Sequence, residues 1–591
     1  MNPIDFEVIR SALYSIAREM KIAMMRTAAG PLIHSGGDAS AAIFNADMQL
    51  VAQGNDIPTM LGSAVISTKV SVEYIGVENL RPGDVIVSND AYLAGGNHQP
   101  DVQFTRPVFF NGKIIAYTMT RGHWQDIGGS SPNSTSLATW DIFAEGIRIP
   151  PVLLYRDDQP VQDLMTIITQ NTRDSSNRLL DIQAQYAGCF VGEKRILEIV
   201  QKWGKEKLKN VMSMSLEYSE KLMRLQIQKI PDGCYEAEDF IEVVTEAYDK
   251  GMPVPIKVKI TVSGDKILVD YSGSGKQVRG GVNCPLAVTY NSTWYTIKAL
   301  TDPSIPINEG CYKPIDIIVP EGSILNCSFP ASVVGGNTAT SQRVIDMLLM
   351  AFAKAIPNKV IAQSHATAGS LWFGGEDPNL ERCKLYGRNF VSAGDLNPGG
   401  MGARPDKDGV NSIRVHIGNA GTQSIEYTES TAPVFIEAWN LVADSGGAGK
   451  FRGGLTVKRV YQVQYDEATC NVGSERGQYP PLGLFGGHPG CLFECKIEKT
   501  DGTIESVPPK GKTRIVHKND RVLINSAGAG GYGDPLERNL EAVLNDVLDG
   551  YVTINKLQES YGVIFNKKNN VIDVAETITL RKKMKNGKND V

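Results

Sequence analysis

The sequence lacks the features of secreted, disulfide-bonded and membrane-spanning proteins. Its nine cysteines are dispersed and form no C-x-x-C pair, which is typical of reduced thiols in a cytoplasm. Residues 1–30 carry charges throughout and contain no compact apolar segment of the signal-peptide kind. The longest mostly apolar stretch, 347–356, is too short to span a bilayer. We therefore predict a soluble cytoplasmic protein that does not contact a membrane.

An excess of basic charge is also missing. The chain holds 60 Lys and Arg against 65 Asp and Glu, and its net charge is −5. We interpret the lysine-rich end, 581–588, as a solvated tail. Because nucleic-acid binding needs a clustered basic surface, this balance argues against nucleic acid as the main partner.

The motifs of nucleotide sites and of common hydrolases are absent as well. Gly449-Lys450 and Gly275-Lys276 resemble the end of a P-loop. The P-loop pattern G-x-x-x-x-G-K-S/T requires a first Gly five residues before the second, but positions 444 and 270 are Asp. Residues 528–533 match G-x-G-x-x-G, but too little chain follows for a Rossmann half-domain. This loop is better interpreted as approaching a ligand or a neighbouring chain. G-x-S-x-G and H-E-x-x-H do not occur.

Helical and strand patterns divide the chain. Asn2-Pro3 predicts the start of a helix, with Asn as the cap and Pro in the first turn. Asn111-Gly112 lies between two apolar runs and predicts a hairpin. Apolar spacing predicts further helices, which cover 175–187, 193–227, 344–355 and, as the last one, 537–548.

These patterns predict an α+β protein with several domains, mixed sheets with packed helices, and a β-rich C-terminal half. From about residue 385 onward glycine is dense and the predicted strands are short. The predicted domains are an N-terminal α/β domain with the candidate site (1–230), a central α+β domain (231–384), a glycine-rich β domain (385–535), and a C-terminal helix with the basic tail (536–591).

Two of the 7 histidines flank the predicted hairpin. His98 and His123 are each followed three residues later by an aspartate, Asp101 and Asp126. Histidine and aspartate are ligands of divalent metals and partners of hydrolytic water. Paired strands can bring these ends together. The spacing is compatible with two interpretations to about the same degree. One is a metal or catalytic site, and the other is a set of hydrogen-bonded structural residues.

Two polar segments can also be either functional or purely structural. Asp38 follows Gly36-Gly37, which is typical of a turn. Residues 335–343 are polar and glycine-rich and lead into an apolar helix. Thr340 or Ser341 can cap that helix, and its N-terminus can hold an anion.

Taken together, the motifs of this chain resemble those of the hydantoinase B/oxoprolinase family. The resemblance covers about residues 3 to 553, and the motifs occur in the family's order. They are Asp38-Ala39-Ser40, Asn89-Asp90-Ala91-Tyr92, Gly95-Gly96-Asn97-His98-Gln99-Pro100-Asp101, His123-Trp124-Gln125-Asp126, Pro306-Ile307-Asn308-Glu309-Gly310, Gly335-Gly336-Asn337-Thr338, Asp444-Ser445-Gly446-Gly447 and Gly530-Gly531-Tyr532-Gly533-Asp534-Pro535.

The resemblance implies a B-type subunit of an ATP-dependent cyclic-amide hydrolase acting on a hydantoin, 5-oxoproline or another lactam. In such proteins a hydantoinase A-type ATPase subunit binds ATP and Mg and phosphorylates the carbonyl oxygen. The B subunit then completes ring opening at a divalent metal, which zinc, manganese or iron would suit. The implied assembly is a hetero-oligomer such as A2B2.

The resemblance also implies the site residues. The family's metal ligands match Asp38, His98, Asp101 and His123. Asp126 is then a candidate general base or a group that orients His123. Two alternatives stay open: a subunit of an acetone- or acetophenone-type carboxylase, and a non-catalytic scaffold for the ATPase.

Three departures from the family pattern bear on substrate transfer rather than on the metal ligands. The family often has threonine where this chain has Asn97. Residues 526–531 replace a Thr-Pro-Gly-Gly-Gly-Gly run, and residues 385–400 depart from the usual Tyr-Tyr-Glu-Thr pattern.

Overall fold

The computed structural model describes residues 2–243 and 252–588. The N-terminal part begins with the predicted helix, because Asn2 Oδ1 accepts a hydrogen bond from Ile4 N at 3.0 Å and Pro3 occupies the first turn. The helices here are α1 (Pro3–Thr27), α2 (Pro31–His34), α3 (Pro58–Ile75), α4 (Gln162–Gln170), α5 (Ser175–Trp203) and α6 (Lys205–Ile227). The strands are β1 (Ala39–Asn45), β2 (Leu50–Gln53), β3 (Val85–Ser88), β4 (Asp101–Phe110), β5 (Lys113–His123), β6 (Val152–Arg156) and β7 (Gln159–Pro160).

The seven strands form one antiparallel sheet in the order β2-β1-β5-β4-β3-β6-β7. Its two faces are both covered. On β1, Ala41 and Ile43 pack with residues of α1, whereas Ala42 and Phe44 pack with residues of α3. Successive side chains of a strand point to opposite faces of the sheet, and here both faces are buried.

The predicted hairpin is confirmed as the central pair of this sheet. Its turn is Asn111-Gly112, and both residues have positive φ, 49° and 70°. At the other end of the hairpin Asp101, the first residue of β4, lies opposite His123, the last residue of β5. The sheet therefore brings the ends of the two motifs together.

The helix boundaries differ from the prediction at two points. A single helix, α5, runs through the predicted gap at 188–192 and ends at Trp203. Gly204, whose φ is 83°, then interrupts the helix predicted over 193–227. Gly188 and Gly192 lie within this helix, and a Cβ at either position would come within 3.0 Å of Met20 in α1 and of a threonine side chain in β5. Small residues here let two helices and the sheet approach closely.

The middle part is a four-stranded sheet packed against two helices. Its elements are β8 (Gly233–Ile241), β9 (Val254–Ser263), β10 (Lys266–Asp270), α7 (Leu286–Leu300), β11 (Ile315–Ile318) and α8 (Ser341–Phe352). The strand order is β11-β10-β9-β8, with β10 and β11 parallel. Alternate residues of β9 enter a core that the two helices share.

The start of α8 differs from the capping prediction. A π-helical turn, Gly336–Thr340, leads directly into the helix, and neither Thr340 nor Ser341 caps it. The Thr340 hydroxyl donates to Val282 O at 2.6 Å, and the Ser341 hydroxyl donates to Asn337 O at 2.6 Å. Such turns are frequent at functional sites.

The C-terminal half is β-rich, as predicted. Its elements are β12 (Ser370–Glu376), α9 (Leu380–Tyr386), β13 (Phe390–Leu396), α10 (Ile425–Thr431), β14 (Val434–Leu441), β15 (Val457–Val463), β16 (Glu467–Gly473), β17 (Glu494–Glu498), β18 (Ile504–Ser506), β19 (Arg514–His517) and β20 (Arg521–Asn525). They form two antiparallel sheets, β13-β12-β16-β19 and β14-β15-β20-β17-β18, around one core. The boundary predicted at residue 384 falls between β12 and β13, which pair along their whole length.

The C-terminal segment contains more structure than predicted. It comprises α11 (Leu540–Leu548), α12 (Ile554–Tyr561), β21 (Ile564–Asn566), β22 (Val571–Asp573) and α13 (Val574–Lys588). The prediction of 537–548 as the last helix is therefore wrong. The solvated tail is a helix, and Arg581 fixes it to the body by donating to Tyr561 O at 2.9 Å. Among the described residues no helix is long and apolar enough to cross a membrane.

Candidate metal centre

Three of the predicted site residues lie together at the end of the β4–β5 hairpin. Potential ligand atoms of His98, Asp101 and His123 are all within 4.8 Å of one another. His98 Nε2 lies 3.2 Å from Asp101 Oδ1, and the centroids of the two imidazole rings are 5.1 Å apart. Two imidazoles and a carboxylate form a ligand set that divalent transition metals favour.

The loop that carries His98 is held by its own polar residues. Asn89 Nδ2 donates to Gln99 O at 2.8 Å, and Asp90 forms an ion pair with Arg148 at 2.6 Å. These contacts fix both ends of the loop before β4. The motif Asn89-Asp90 therefore supports the site without entering it.

The cluster fits a cation because its ligand atoms are buried and unsatisfied. His98 Nδ1 and His123 Nδ1 make no hydrogen bond with any described residue, and His98 Nε2 and Asp101 Oδ1 have only each other, at 3.2 Å. Leaving a buried polar atom without a partner costs about 1–3 kcal/mol. Two unpartnered ring nitrogens beside a carboxylate indicate that another group satisfies them. A divalent ion with nitrogen and oxygen ligands meets this requirement.

His123 and Asp101 are in the protonation states that bind metals, whereas Asp101 outweighs burial at His98 and raises the pKa of that ring. Burial and the neighbouring His98 lower the pKa of His123 to about 3, so that its ring is neutral. Burial alone would raise the pKa of Asp101, but His98 and His123 outweigh it and the pKa is lowered. A neutral imidazole and an ionised carboxylate are the forms that bind metals.

His98, Asp101 and His123 line a cavity, which we call the metal cavity, and Asp38 lines it as well. Its carbonyl accepts a hydrogen bond from His123 N at 3.1 Å, which joins the turn before β1 to the end of β5. Its carboxylate is not among the groups within 4.8 Å of one another. Burial raises the pKa of Asp38 to about 6, and the charge of Arg414 opposes this rise. A carboxyl with this pKa exchanges a proton near neutral pH.

Asp126 has a different environment from that of Asp101. Its carboxylate accepts hydrogen bonds from Gly128 N at 2.8 Å and Asn133 N at 3.1 Å, and it forms an ion pair with Arg173 at 2.9 Å. It does not line the metal cavity. These bonds fix the turn after β5, and none of them reaches the ring of His123.

The cavity contains polar residues that sequence reasoning did not assign to it. Arg414, Thr135, Trp372 and Gln342 line it, and each has a buried side-chain atom with no hydrogen-bond partner in the described part of the chain. Gln342 lies in the polar segment 335–343, which the sequence did single out. Arg414 carries no motif that marks it.

The comparisons with known proteins agree with the resemblance. The Hydantoinase B/oxoprolinase family matches residues 2–535. An uncharacterized protein of Methanocaldococcus jannaschii is 35% identical over 98% of this chain and 100% of its own length. Caprolactamase subunit beta of Pseudomonas jessenii is 30% identical over 98% of both chains. The 5-oxoprolinase of Dictyostelium discoideum is 30% identical over 90% of this chain, which spans 40% of that protein.

Solved structures show the same fold. The crystal structure of the ATP-dependent caprolactamase from Pseudomonas jessenii matches with a TM-score of 0.89 and 28% identity, over 98% of this chain and 100% of that one. An acetone carboxylase structure matches with a TM-score of 0.92 at 20% identity, over 99% of this chain and 83% of that one. The second likeness concerns the fold alone. With its fold, its motifs and the family match over residues 2–535, this chain belongs to the hydantoinase B/oxoprolinase family.

Proposed function

We propose that this chain is the metal-binding B-type subunit of an ATP-dependent cyclic-amide hydrolase. His98, Asp101 and His123 hold a divalent ion, and Asp38, which the resemblance implied as a fourth ligand, lies beside them as the proton acceptor. The observation that carries the proposal is the buried cluster of unsatisfied ligand atoms. It lies in a member of a family whose relatives include a caprolactamase subunit and a 5-oxoprolinase.

The chemistry requires activation before hydrolysis. Resonance makes an amide carbon a poor electrophile, and phosphorylation of the carbonyl oxygen makes that carbon electrophilic. Water adds to the carbon, the ring C–N bond breaks as the nitrogen takes a proton, and hydrolysis of the resulting acyl phosphate releases phosphate. A divalent ion held by His98, Asp101 and His123 would supply Lewis acidity for the attack of water. In our proposal Asp38, a buried carboxyl that lines the same cavity, accepts the proton of the attacking water.

Two further residues have proposed roles. Arg414 directs buried N–H groups into the cavity and stabilises negative charge that develops on the substrate oxygen. Asp126, our sequence-based candidate for general base, is occupied by Arg173 and two backbone N–H groups. We therefore assign proton transfer to Asp38 and the positioning of the turn after His123 to Asp126.

The activating step belongs to another chain in this proposal. The sequence contains no Walker A motif, and the related caprolactamase chain is named as a subunit beta. We propose a hydantoinase A-type ATPase partner, which binds ATP and Mg, in a hetero-oligomer such as A2B2.

The test combines metal analysis with turnover of the complex. The chain, purified with its ATPase partner, should contain about one transition-metal ion per B subunit and open a lactam ring only with ATP. Asp101→Asn and His123→Ala should lose the metal and at least about 100-fold in kcat, because each removes a ligand. His517→Ala, at an exposed histidine outside the cavity, is the matched control.

Three results would contradict the proposal. Ring opening by this chain alone without ATP would remove the need for a partner. Unchanged turnover in His123→Ala would favour the scaffold alternative. Bicarbonate-dependent ATP turnover would favour the carboxylase alternative.

A further inference from the structure

A second cavity shares two walls with the metal cavity. It has a volume of about 260 Å³. Along residues 56–61 the lining alternates: Asp56, Pro58 and Leu61 face the second cavity, whereas Ile57, Thr59 and Met60 line the metal cavity. Ile417 and Gly418 line the metal cavity, and Asn419 lines the second cavity. The two spaces are neighbours separated by a single layer of chain.

The two cavities differ in what they can hold. The metal cavity has a volume of about 40 Å³, which is room for a few water molecules. The neighbouring cavity is larger, at about 260 Å³. In this conformation it gives a small ring more room than the metal cavity does.

One face of α7 supplies the recognition groups of the second cavity. Asn291, Trp294, Tyr295 and Lys298 follow one another at helical spacing and all line it. Trp294 stacks on Tyr312, with ring centroids 4.4 Å apart and an angle of 11° between the planes. The walls are thus largely aromatic, with polar atoms at defined points, as is usual for small-molecule sites.

Three neutral polar groups in this cavity have no partner. Gln53 Oε1, Asn291 Nδ2 and Trp294 Nε1 make no hydrogen bond within residues 2–243 and 252–588, and these side chains are at most 8% exposed. They offer one acceptor and two donors. The amide edge of a lactam, with its C=O and N–H, is complementary to them.

The basic side chain of the cavity is Lys298. It is buried, its ammonium donates to the carbonyl of Asp302, and the charge of the Asp302 carboxylate acts on it without an ion pair being formed. Burial lowers the pKa of Lys298. Asp56, the acid of the lining, is paired with Lys21 at 3.1 Å. A carboxylate would satisfy Lys298 without disturbing that pair.

We propose that this cavity is a second ligand site, separate from the metal centre, for a small cyclic amide that carries a carboxylate. The amide edge contacts Gln53, Asn291 and Trp294, and the carboxylate binds Lys298. The site holds the ring one layer of chain away from His98 and His123. The role of this ligand as substrate rests on the proposed function, whereas its binding does not.

Calorimetric titration of the purified full chain, without ATP, tests the site. The probes are 5-oxoproline and 2-pyrrolidinone, the same ring without the carboxylate. We expect 5-oxoproline to bind at least about tenfold more tightly, because one charge-assisted hydrogen bond contributes about 1.5–3 kcal/mol. Lys298→Met should abolish this difference, and Lys313→Met, at an exposed lysine outside the cavity, should preserve it.

Trp294→Phe tests the amide end independently. It keeps the aromatic wall, removes the indole N–H, and should weaken both probes about two- to tenfold. Trp203→Phe, whose indole lies against surface lysines, is the matched control. His123→Ala should still bind 5-oxoproline while the complex loses ring opening.

The outcomes separate the two proposals. Equal affinity for the two probes, affinities unaffected by Lys298→Met and Trp294→Phe, or binding abolished by His123→Ala would each overturn the second site. An absence of binding, with ordered water as the sole occupant in a crystal soaked with 5-oxoproline, would do the same. Binding that follows the prediction in a complex without ATP-dependent ring opening would overturn the proposed function and leave the site in place.

Discussion

Arg414 brings a positive charge into the metal cavity. Its Nε and Nη1 are buried and have no hydrogen-bond partner among the described residues. Arg414→Gln should lower kcat of the ATPase-bound enzyme by about 100- to 1000-fold, because donors aimed at a developing oxyanion contribute on this scale. The bound metal should be unchanged. Steady-state kinetics with metal analysis checks this, with the surface variant Arg195→Gln as control. A loss of less than threefold, or a loss of metal, would contradict it.

His365 links stability to pH away from the metal ligands. It is buried, its Nδ1 lies 3.1 Å from Gly400 O, and burial lowers its pKa to about 4 from an ordinary 6.5. The unfolded chain therefore binds the extra proton first. The stabilisation is fully present above pH 6.5 and is lost as the pH falls towards 4, by about 2 kcal/mol at pH 5.

Urea midpoints measured from pH 7 to pH 5 check this expectation. His365→Gln keeps an N–H donor for Gly400 but does not titrate, so it should lose less stability than the parent over this range. Parallel curves for the two proteins would contradict the assignment.

At the scale of single residues, the sequence identified which residues belong to the candidate site better than it predicted the surroundings of each side chain. The two His-x-x-Asp units look equivalent, yet Asp101 begins a strand and enters the cluster, whereas Asp126 lies in a turn. That turn depends on Gly128 and Gly129, whose φ values are 83° and 88°. Spacing alone does not reveal which way a carboxylate points. Arg414 was missed because only the fold brings it to the cavity.

The glycine-rich segments of the C-terminal half are packing elements. A Cβ at Gly447, Gly453, Gly530 or Gly531 would lie 2.0–2.2 Å from a backbone oxygen of another segment. The segments also bond to one another, as in Gly447 N to Ala529 O at 2.7 Å. The sequence interpretation of 528–533 as a loop approaching a ligand or a neighbouring chain did not include this packing, because close contact between backbones has no periodicity.

Gly531→Ala tests this packing. Its new Cβ would meet Ala448 O at 2.2 Å. Since that atom is backbone and cannot rotate away, we expect a loss of about 3 kcal/mol or more, seen as a lower thermal midpoint or as insoluble protein. Gly421→Ala is the control, because the nearest atom there is 3.5 Å away. Equal stability of the two variants would contradict the interpretation.

At the scale of the whole molecule the metal cavity is a composite. Its lining comes from the turn at Asp38, the hairpin, the π-helical turn at 336–340, strand β12 and residues 414–418. The hairpin was predictable because its two strands are adjacent in sequence and joined by an Asn-Gly turn. The other parts are between about 60 and about 300 residues away, and their approach depends on long-range packing that no local pattern records.

Long-range packing also explains why a predicted domain boundary differs from the structure. The α+β class and the β-rich second half follow from periodicity and glycine content. The boundary at 384 does not follow, because β12 pairs with β13 and also with β16, nearly a hundred residues further on. Only the pairing identifies β12 as part of the C-terminal sheet.

The β4–β5 pairing shifts register between Val108 and Phe109, which divides the hairpin into an outer half with the tip at Asn111-Gly112 and an inner half with the ligand end. A peptide inserted at the tip changes only the outer half. On the inner half, a slip of one residue would replace Asp101 by Val102 opposite His123 and turn the carboxylate to the other face. The ligand set is therefore tolerant of length changes at one end of the hairpin and intolerant of any at the other.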